Sequence, residues 1–258
     1  MSGSFNDLLV EDRGPVRTLC MNRPAKRNAL NAGLVAELIT AFREADQNPD
    51  VRAVILTGSG GAFCAGADLS LLGATDPSDH SQTGANGFPE LNLVMRRMGT
   101  PVIARIERYA FAGALSLVCN ATFAIAERTA RFAAPEIDRG LFPMMVLASL
   151  FRTVNRRDGM DLVLTGRTIL APEAERMGLI HRSVEANELE TAVNELAATL
   201  AAKPPGAMRL GLKAIEDQSQ WDFETALQQL HGRLAEALNT EEAQQGIADF
   251  LDKQSPKN

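Results

Sequence analysis

The sequence predicts an α/β fold, because short apolar runs alternate with amphipathic helical stripes along its first two thirds. The apolar runs have the length and content of buried strands, and they span residues 16–21, 51–57, 101–106, 123–126 and 131–133. Between the first two runs, apolar side chains repeat with the period of a helix from Leu34 to Phe42, and Asn31 is the expected N-cap. From about Arg156 onward helical patterns dominate, so we expect an α/β core followed by a helical tail.

The helical tail has two interpretations on its pattern alone. Its amphipathic helices pack either on a partner chain or over the core of their own chain, and both remain open at this point. Pro204 and Pro205 separate one of these helices from the next. The polar, glycine-containing segment 75–87 (TDPSDHSQTGANG) is a candidate lid over a site.

Composition excludes several classes of function. The net charge of −6 argues against a nucleic-acid partner, because no basic stripe in the sequence outweighs the acidic residues. Three scattered cysteines and three distant histidines fit neither a disulfide framework nor a metal site. No apolar run approaches the roughly 18 residues of a membrane span, and no signal-peptide pattern begins the chain. We therefore expect a cytoplasmic protein without metal, membrane or nucleic-acid partners.

Three segments could carry chemistry, although none matches the phosphate-loop, nucleophile-elbow or zinc-protease motifs. The first is GGAFCAGADLS at 60–70, where small residues let a ligand approach the main chain. The second is AFAGALSLVCN at 110–120, which leads into a helix start with unpaired N–H groups. The third is RFAAPEIDRGLFP at 131–143, which carries Glu136. Taken singly, these are a tight turn, a close-packed helix and a surface acid.

Taken together and in this order, the segments resemble the crotonase family of enoyl-CoA hydratases and isomerases. The resemblance begins at NRPAKRNALN (22–31), continues through PVIARI and LVLTGRTILAPEAERMGLIHRSV, and covers nearly the whole chain. It implies a crotonase-like spiral of strand–strand–helix repeats at 1–195. It also implies a C-terminal helical region at 196–258 that mediates a homotrimer or a dimer of trimers.

The same resemblance implies the site residues. The N–H groups of Ala67 and Gly113 would form an oxyanion hole for the thioester carbonyl, and Glu136 would be the principal catalytic glutamate. The substrate would be an acyl-CoA thioester, and no separate cofactor is expected. The expected contacts with coenzyme A and the acyl group are Lys26, Arg27, Ala65, Asp68, Leu69, Phe142, Phe250 and Lys253, the last two reaching a neighbouring subunit's ligand.

The sequence departs from the family pattern at positions that bear on the reaction. Hydratases of the family usually carry a second glutamate where this chain has Ser116, whose hydroxyl could orient a water but is too weak a base to act alone. Glu107 and Arg108 replace a small, uncharged pair. Hydration of a 2-enoyl-CoA to a 3-hydroxyacyl-CoA is the main expectation. The alternatives are a Δ3-Δ2 isomerase using Glu136 alone, a CoA-binding homologue without catalysis, and a hydrolase or lyase that recruits Asp138 or Ser116.

Overall fold

The computed structural model describes residues 5–68 and 87–254 of the chain. Its strands are β1 (Leu8–Arg13), β2 (Val16–Met21), β3 (Ala53–Gly58), β4 (Val102–Ile106), β5 (Tyr109–Phe111), β6 (Phe123–Glu127), β7 (Arg131–Ala133), β8 (Ile169–Leu170) and β9 (Arg182–Val184). Its helices are α1 (Ala32–Gln47), α2 (Phe88–Arg96), α3 (Ala114–Asn120), α4 (Met144–Thr153), α5 (Arg156–Thr165), α6 (Ala171–Arg176), α7 (Leu189–Ala201), α8 (Pro205–Gln218), α9 (Phe223–Leu238) and α10 (Glu241–Gln254). The predicted α/β class is confirmed.

The larger sheet is mostly parallel and buried on both faces. Its strand order is β1-β2-β3-β4-β6-β9, and only the pair of β1 with β2 is antiparallel. All six residues of β3 are buried, as expected for a parallel strand that helices cover on both sides. Alternate residues of β3 enter two different cores: Val54 and Leu56 pack with α1, whereas Ala53 and Ile55 pack with α7.

A small sheet of β5, β7 and β8 lies beside the larger one and positions the candidate site. Strands β5 and β7 pair in parallel, with Phe111 opposite Ala133. Because the carboxyl ends of parallel neighbours lie at the same edge, the segments that follow Phe111 and Ala133 leave the sheet side by side. The first segment leads to Gly113 and the second to Glu136.

The C-terminal helices differ in what they cover. Helix α7 packs on the large sheet through Leu189, Val193 and Ala197, so the predicted division after residue 195 falls inside a helix that belongs to the core. Helices α8, α9 and α10 contact one another. They expose large apolar side chains at Ile215, Phe223, Leu227, Leu234, Leu238, Ile247, Phe250 and Leu251. No helix in the described ranges combines the length and hydropathy of a membrane span.

Local sequence signals explain the first helix. The side chain of Asn31 accepts a hydrogen bond from the N–H of Leu34 at 2.7 Å, which satisfies one of the free donors at the start of α1. The predicted apolar stripe is buried from Leu34 to Phe42. Strand β2 also has the predicted bounds.

Candidate active site

The turn that carries Ala67 is held between two other segments of the chain. On one side, the N–H of Leu30 donates to the carbonyl of Gly66 at 2.8 Å and the N–H of Asp68 donates to the carbonyl of Leu30 at 2.9 Å. On the other side, Cys64 bridges to Ala110 of β5. In a parallel bridge, the residue between two such bonds directs its own N–H away from the partner. Within the described residues, the N–H of Ala67 has no hydrogen-bond acceptor.

A second free amide lies where β5 passes into α3. Ala112 adopts a left-handed conformation with φ 53°, and its N–H donates to the carbonyl of Ala133 at 2.9 Å. Gly113 follows as the N-cap of α3, and its N–H also lacks an acceptor in the part of the chain that the structure describes. A Cβ built on Gly113 would lie 3.8 Å from the nitrogen of Ala67. The two turns with free amides therefore adjoin.

Gly66 allows this close approach. Its φ is +94°, and an added Cβ would lie 2.6 Å from the Cβ of Ala112 and 2.7 Å from the carbonyl oxygen of Phe111. The same Cβ would lie 3.3 Å from the nitrogen of Gly113. Only glycine combines this backbone conformation with this contact, which accounts for the run of small residues around it.

Glu136 lies in a 3₁₀ helix, Pro135–Arg139, directly after β7. Its side chain is half-buried, and its Oε2 atom is buried without a hydrogen-bond partner among the described residues. Burial raises the pKa of the Glu136 carboxyl above its ordinary value, although its own main-chain N–H and the charge of Arg139 oppose this shift. A carboxyl group with a raised pKa and a free oxygen is suited to accept and return a proton.

Ser116 lies one helical turn beyond Gly113 on α3. It is fully buried, and its Oγ has no hydrogen-bond partner in the described part of the chain. A buried hydroxyl without a partner is unfavourable unless a water or a ligand group binds to it. Among the described residues, one free amide, one free carboxylate oxygen and one free hydroxyl thus lie on segments that follow β5 and β7, and the second free amide lies on the adjoining Ala67 turn.

Comparison with known proteins assigns the chain to a family. The family model described as "Enoyl-CoA hydratase/isomerase" matches residues 11–258. The chain belongs to this family. It is 34% identical to the enoyl-CoA hydratase EchA19 of Mycobacterium tuberculosis over 97% of this chain and 95% of the relative. It is 32% identical to a short-chain-enoyl-CoA hydratase of Clostridium acetobutylicum over 96% of both.

The solved structures agree with the family assignment. The crystal structure of an enoyl-CoA hydratase from Mycobacterium smegmatis matches with a TM-score of 0.92 and 32% identity, covering 98% of each chain. The predicted crotonase resemblance and its spiral fold are therefore confirmed. As a member of the enoyl-CoA hydratase/isomerase family, the protein is an enzyme whose substrate is an acyl-CoA thioester.

Several residues predicted to contact coenzyme A lie along one segment next to the Ala67 turn. Lys26 and Arg27 are exposed, and the N–H of Ala65 donates to the carbonyl of Arg27 at 3.1 Å. The carboxylate of Asp68 pairs with Arg23 at 3.0 Å, and the side chain of Asp68 is only 9% exposed. This ion pair joins the Ala67 turn to the segment at 22–31, which contains Arg23.

The other predicted contacts are distributed more widely. Phe142 is partly buried against the main core, whereas Phe250 is exposed on α10. Lys253 lies in the last turn of α10, and its side chain is outside the described residues. Leu69 and residues 75–86 of the predicted lid at 75–87 also lie outside them. In residues 5–68 and 87–254, no group of three or more metal-binding side chains is placed to hold a metal ion.

Two polar residues that the sequence analysis did not single out hold the Ala67 turn and the preceding turn at 59–62 in place. Asn28 is fully buried, with φ 55°, and its side-chain amide donates to the carbonyls of Ser59 at 2.9 Å and Ala62 at 2.8 Å. The guanidinium group of Arg23 contacts the carbonyl of Ala29 as well as Asp68. Both residues lie within the motif NRPAKRNALN (22–31), and this motif was the sequence signal that could have identified them. Neither the charge nor the hydrophobic pattern of the chain indicates their role.

Proposed function

We propose that the enzyme adds water across the double bond of a 2-enoyl-CoA and forms a 3-hydroxyacyl-CoA. The observation that carries this proposal is the buried Oε2 of Glu136, which has no partner among the described residues and lies on the segment that leaves the sheet beside the one leading to Gly113. The amides of Gly113 and of the adjoining Ala67 turn also lack acceptors in this part of the chain. The names of the relatives support the choice, because EchA19 and the Clostridium protein are both called enoyl-CoA hydratases.

In this proposal, the amides of Ala67 and Gly113 bind the thioester oxygen. When a nucleophile adds at C3, electrons move from the double bond towards that oxygen, which becomes enolate-like. Two donors already in place stabilise this charge without reorganisation, and the loss of one such donor typically costs about 3 kcal/mol of transition-state stabilisation. The main chain can supply both bonds, so small side chains are sufficient at these positions.

Glu136 moves the proton. Its carboxylate accepts a proton from the attacking water as the oxygen bonds to C3, and the carboxylic acid then returns a proton to C2. The raised pKa of this carboxyl strengthens it as a proton acceptor, which favours the first step. Ser116 positions the water through a hydrogen bond, the part that a second carboxylate plays in the usual family pattern.

A second candidate is the Δ3-Δ2 isomerase, which the serine at position 116 favours. In that reaction Glu136 removes a proton from C2 of a 3-enoyl-CoA and returns it to C4. No second acid and no water are needed, and the same two amides stabilise the same enolate.

The contacts with coenzyme A and the assembly state are also proposals. Lys26 and Arg27 would bind phosphates, and Ala65, Asp68, Leu69 and Phe142 would follow the pantetheine and acyl groups. A homotrimer, or a dimer of trimers, would bring Phe250 and Lys253 to a neighbouring subunit's ligand. The exposed apolar side chains of α8–α10 support an interface there. A cytoplasmic location stays a prediction.

Turnover of two substrates distinguishes the candidates. Purified protein is given a 2-enoyl-CoA and, separately, the matching 3-enoyl-CoA, and the absorbance of the conjugated thioester is followed. Loss of absorbance with the first substrate supports hydration, and gain with the second supports isomerisation. Binding of both without turnover would indicate a CoA-binding protein and refute the proposal.

A pair of variants tests the role of Glu136. Glu136→Gln keeps the shape of the side chain and removes its acid–base function, so kcat should fall by about a hundredfold or more. Asp138→Asn is the matched control, because Asp138 is an exposed acid in the same 3₁₀ helix. Equal activity of both variants would remove Glu136 from the mechanism.

A further inference from the structure

A polar cluster, fully buried at Ser116 and half-buried at Asn120 and Asn92, extends along one face of α3. Asn120 lies one turn after Ser116, so their side chains share a face of the helix. The Nδ2 of Asn120 donates to the Oδ1 of Asn92 on α2 at 2.6 Å, and the Oγ of Ser149 on α4 donates to the same oxygen at 3.5 Å. An enzyme for plain hydrocarbon acyl chains has no need of polar side chains at this place, where the surrounding helix residues are apolar and buried.

The cluster is connected to the candidate active site through Phe88. The Nδ2 of Asn92 donates to the carbonyl of Phe88 at 2.7 Å. The ring of Phe88 lies 3.4 Å from the position of the Cβ that Gly113 lacks. Phe88 therefore contacts both the polar cluster and Gly113, the residue that carries the second free amide.

The hydrogen bonds determine which atom of Asn120 is free. Because Asn92 donates through Nδ2 to a carbonyl, its Oδ1 must be the acceptor for Asn120. Asn120 therefore uses its NH₂ group in that bond, and its Oδ1 is left as a buried acceptor without a partner among the described residues. The Oγ of Ser116 is also buried without a partner there.

A single hydroxyl group of a bound ligand can make the hydrogen bonds that Asn120 Oδ1 and Ser116 Oγ lack. Side chains one turn apart have Cβ atoms about 5–6 Å from each other, a gap that a single group with two hydrogen bonds can bridge. Asn120 Oδ1 needs a donor, and the Ser116 hydroxyl can donate. A hydroxyl group can donate to the first and accept from the second, whereas a ketone or an ether can do only the second. The lone pairs of Ser116 stay available to the reacting water.

We propose that the enzyme selects an acyl-CoA whose acyl chain carries a hydroxyl group beyond the reacting carbons, and that Ser116 and Asn120 bind this hydroxyl. The inference rests on the proposed function for the position of the thioester at Gly113. A rise of about 1.5 Å per residue puts the midpoint of the pair about 7 Å along the helix from Gly113, several bonds beyond C3. Asn120 is thus a specificity-determining residue.

The test compares two series of 2-enoyl-CoA substrates of five to eight carbons, one with a terminal hydroxyl and one without. At the best chain length we expect kcat/KM to be at least about tenfold higher for the hydroxylated substrate, since the unsubstituted one leaves two buried polar atoms without partners. Equal or lower kcat/KM for the hydroxylated substrate at every length would overturn the inference and would mean that a water occupies the pair.

Variants locate the preference. Asn120→Leu should reduce the ratio of the two kcat/KM values to near one, and Ser116→Ala, which removes less volume, should reduce it in the same direction if the first variant does not fold. Cys119→Ala is the matched control at a neighbouring position of α3 that is not part of the pair, and it should keep the wild-type ratio. A ratio unchanged in Asn120→Leu would also overturn the inference.

A binding measurement separates this inference from the proposed reaction. Dissociation constants of a saturated terminal-hydroxyacyl-CoA and the unsubstituted acyl-CoA are measured by titration calorimetry, which needs no turnover. A wild-type preference for the hydroxyl that Asn120→Leu removes supports the inference even if neither 2-enoyl-CoA reacts. Turnover without any preference refutes the inference and leaves the proposed function standing.

Discussion

Replacing Gly66 with alanine should damage stability and activity together, because this residue holds the two amide turns against each other. The new methyl group would be 2.6 Å from the Cβ of Ala112 and 2.7 Å from the oxygen of Phe111, distances that force one segment to move. The backbone conformation costs about 1–2 kcal/mol for any residue with a Cβ, and overpacking adds about 1–3 kcal/mol. We therefore expect the free energy of unfolding to fall by about 2–5 kcal/mol.

The same movement reaches the proposed oxyanion hole. The methyl group would lie 3.3 Å from the nitrogen of Gly113, so a shift of β5 changes the aim of that amide. Loss of one donor corresponds to a fall in kcat of about a hundredfold to a thousandfold. Urea denaturation measures the first effect, and turnover of a saturating 2-enoyl-CoA measures the second at a temperature where the variant is folded.

Gly14→Ala is the matched control. Gly14 also has a positive φ of +58°, but an added Cβ would have no atom within 4 Å. It should lose only the backbone cost of about 1–2 kcal/mol and keep wild-type kcat. A folded Gly66→Ala variant with wild-type kcat would refute the assignment of this contact to the amide turns.

Three further predictions follow from the described contacts. Burial raises the pKa of Glu136, so the stability linked to its proton is present below the ordinary glutamate pKa of about 4.3 and lost as pH rises through the raised value. Glu136→Gln should therefore melt at a higher temperature than wild type at pH 7–8, and the difference should disappear near pH 4. Asn28→Ala leaves three main-chain groups without partners and should cost about 3 kcal/mol in urea denaturation; a loss below about 1 kcal/mol would contradict this role. Leu227→Asp combined with Leu234→Asp changes two exposed positions of α9; light scattering should then report a single-chain mass, whereas the wild type should give the mass of the proposed three or six chains.

The elements that the sequence predicted are those whose pattern reflects burial. Strand β2 and helix α1 carry apolar residues with the period of their own structure. The missed strand β1 is an antiparallel edge strand in which only Leu8 is buried, so its sequence has no regular apolar alternation. The missed strand β5 has three residues, and its pairing comes from β7 and from the bridge at Cys64, which no local pattern encodes.

Some features of the candidate site could likewise be predicted from the sequence, whereas others depend on contacts in the folded chain. The order of the motifs predicted Ala67, Gly113 and Glu136 as site residues. The proximity of Ala67 to Gly113 appears only in the folded chain, because it depends on the packing of Gly66 against the end of β5. The pairing of Asp68 with Arg23 links residues 45 positions apart, which no local pattern in the sequence predicts. The amide network at Asn92 and Asn120 likewise depends on the packing of α2 on α3.

The two departures from the family pattern have different physical consequences. At Glu107 the added charge is neutralised locally, because its carboxylate pairs with Arg105 at 2.8 Å and its carbonyl accepts from Phe63 at 3.0 Å. Contacts within the fold therefore compensate the charge of Glu107 without a bound ligand. At Ser116 the loss of a carboxylate leaves a buried hydroxyl with no partner among the described residues, an unfavourable state that a bound group would relieve. The unsatisfied hydroxyl at this position is the observation on which both the proposed role of Ser116 and the proposed selection of a hydroxylated acyl chain depend.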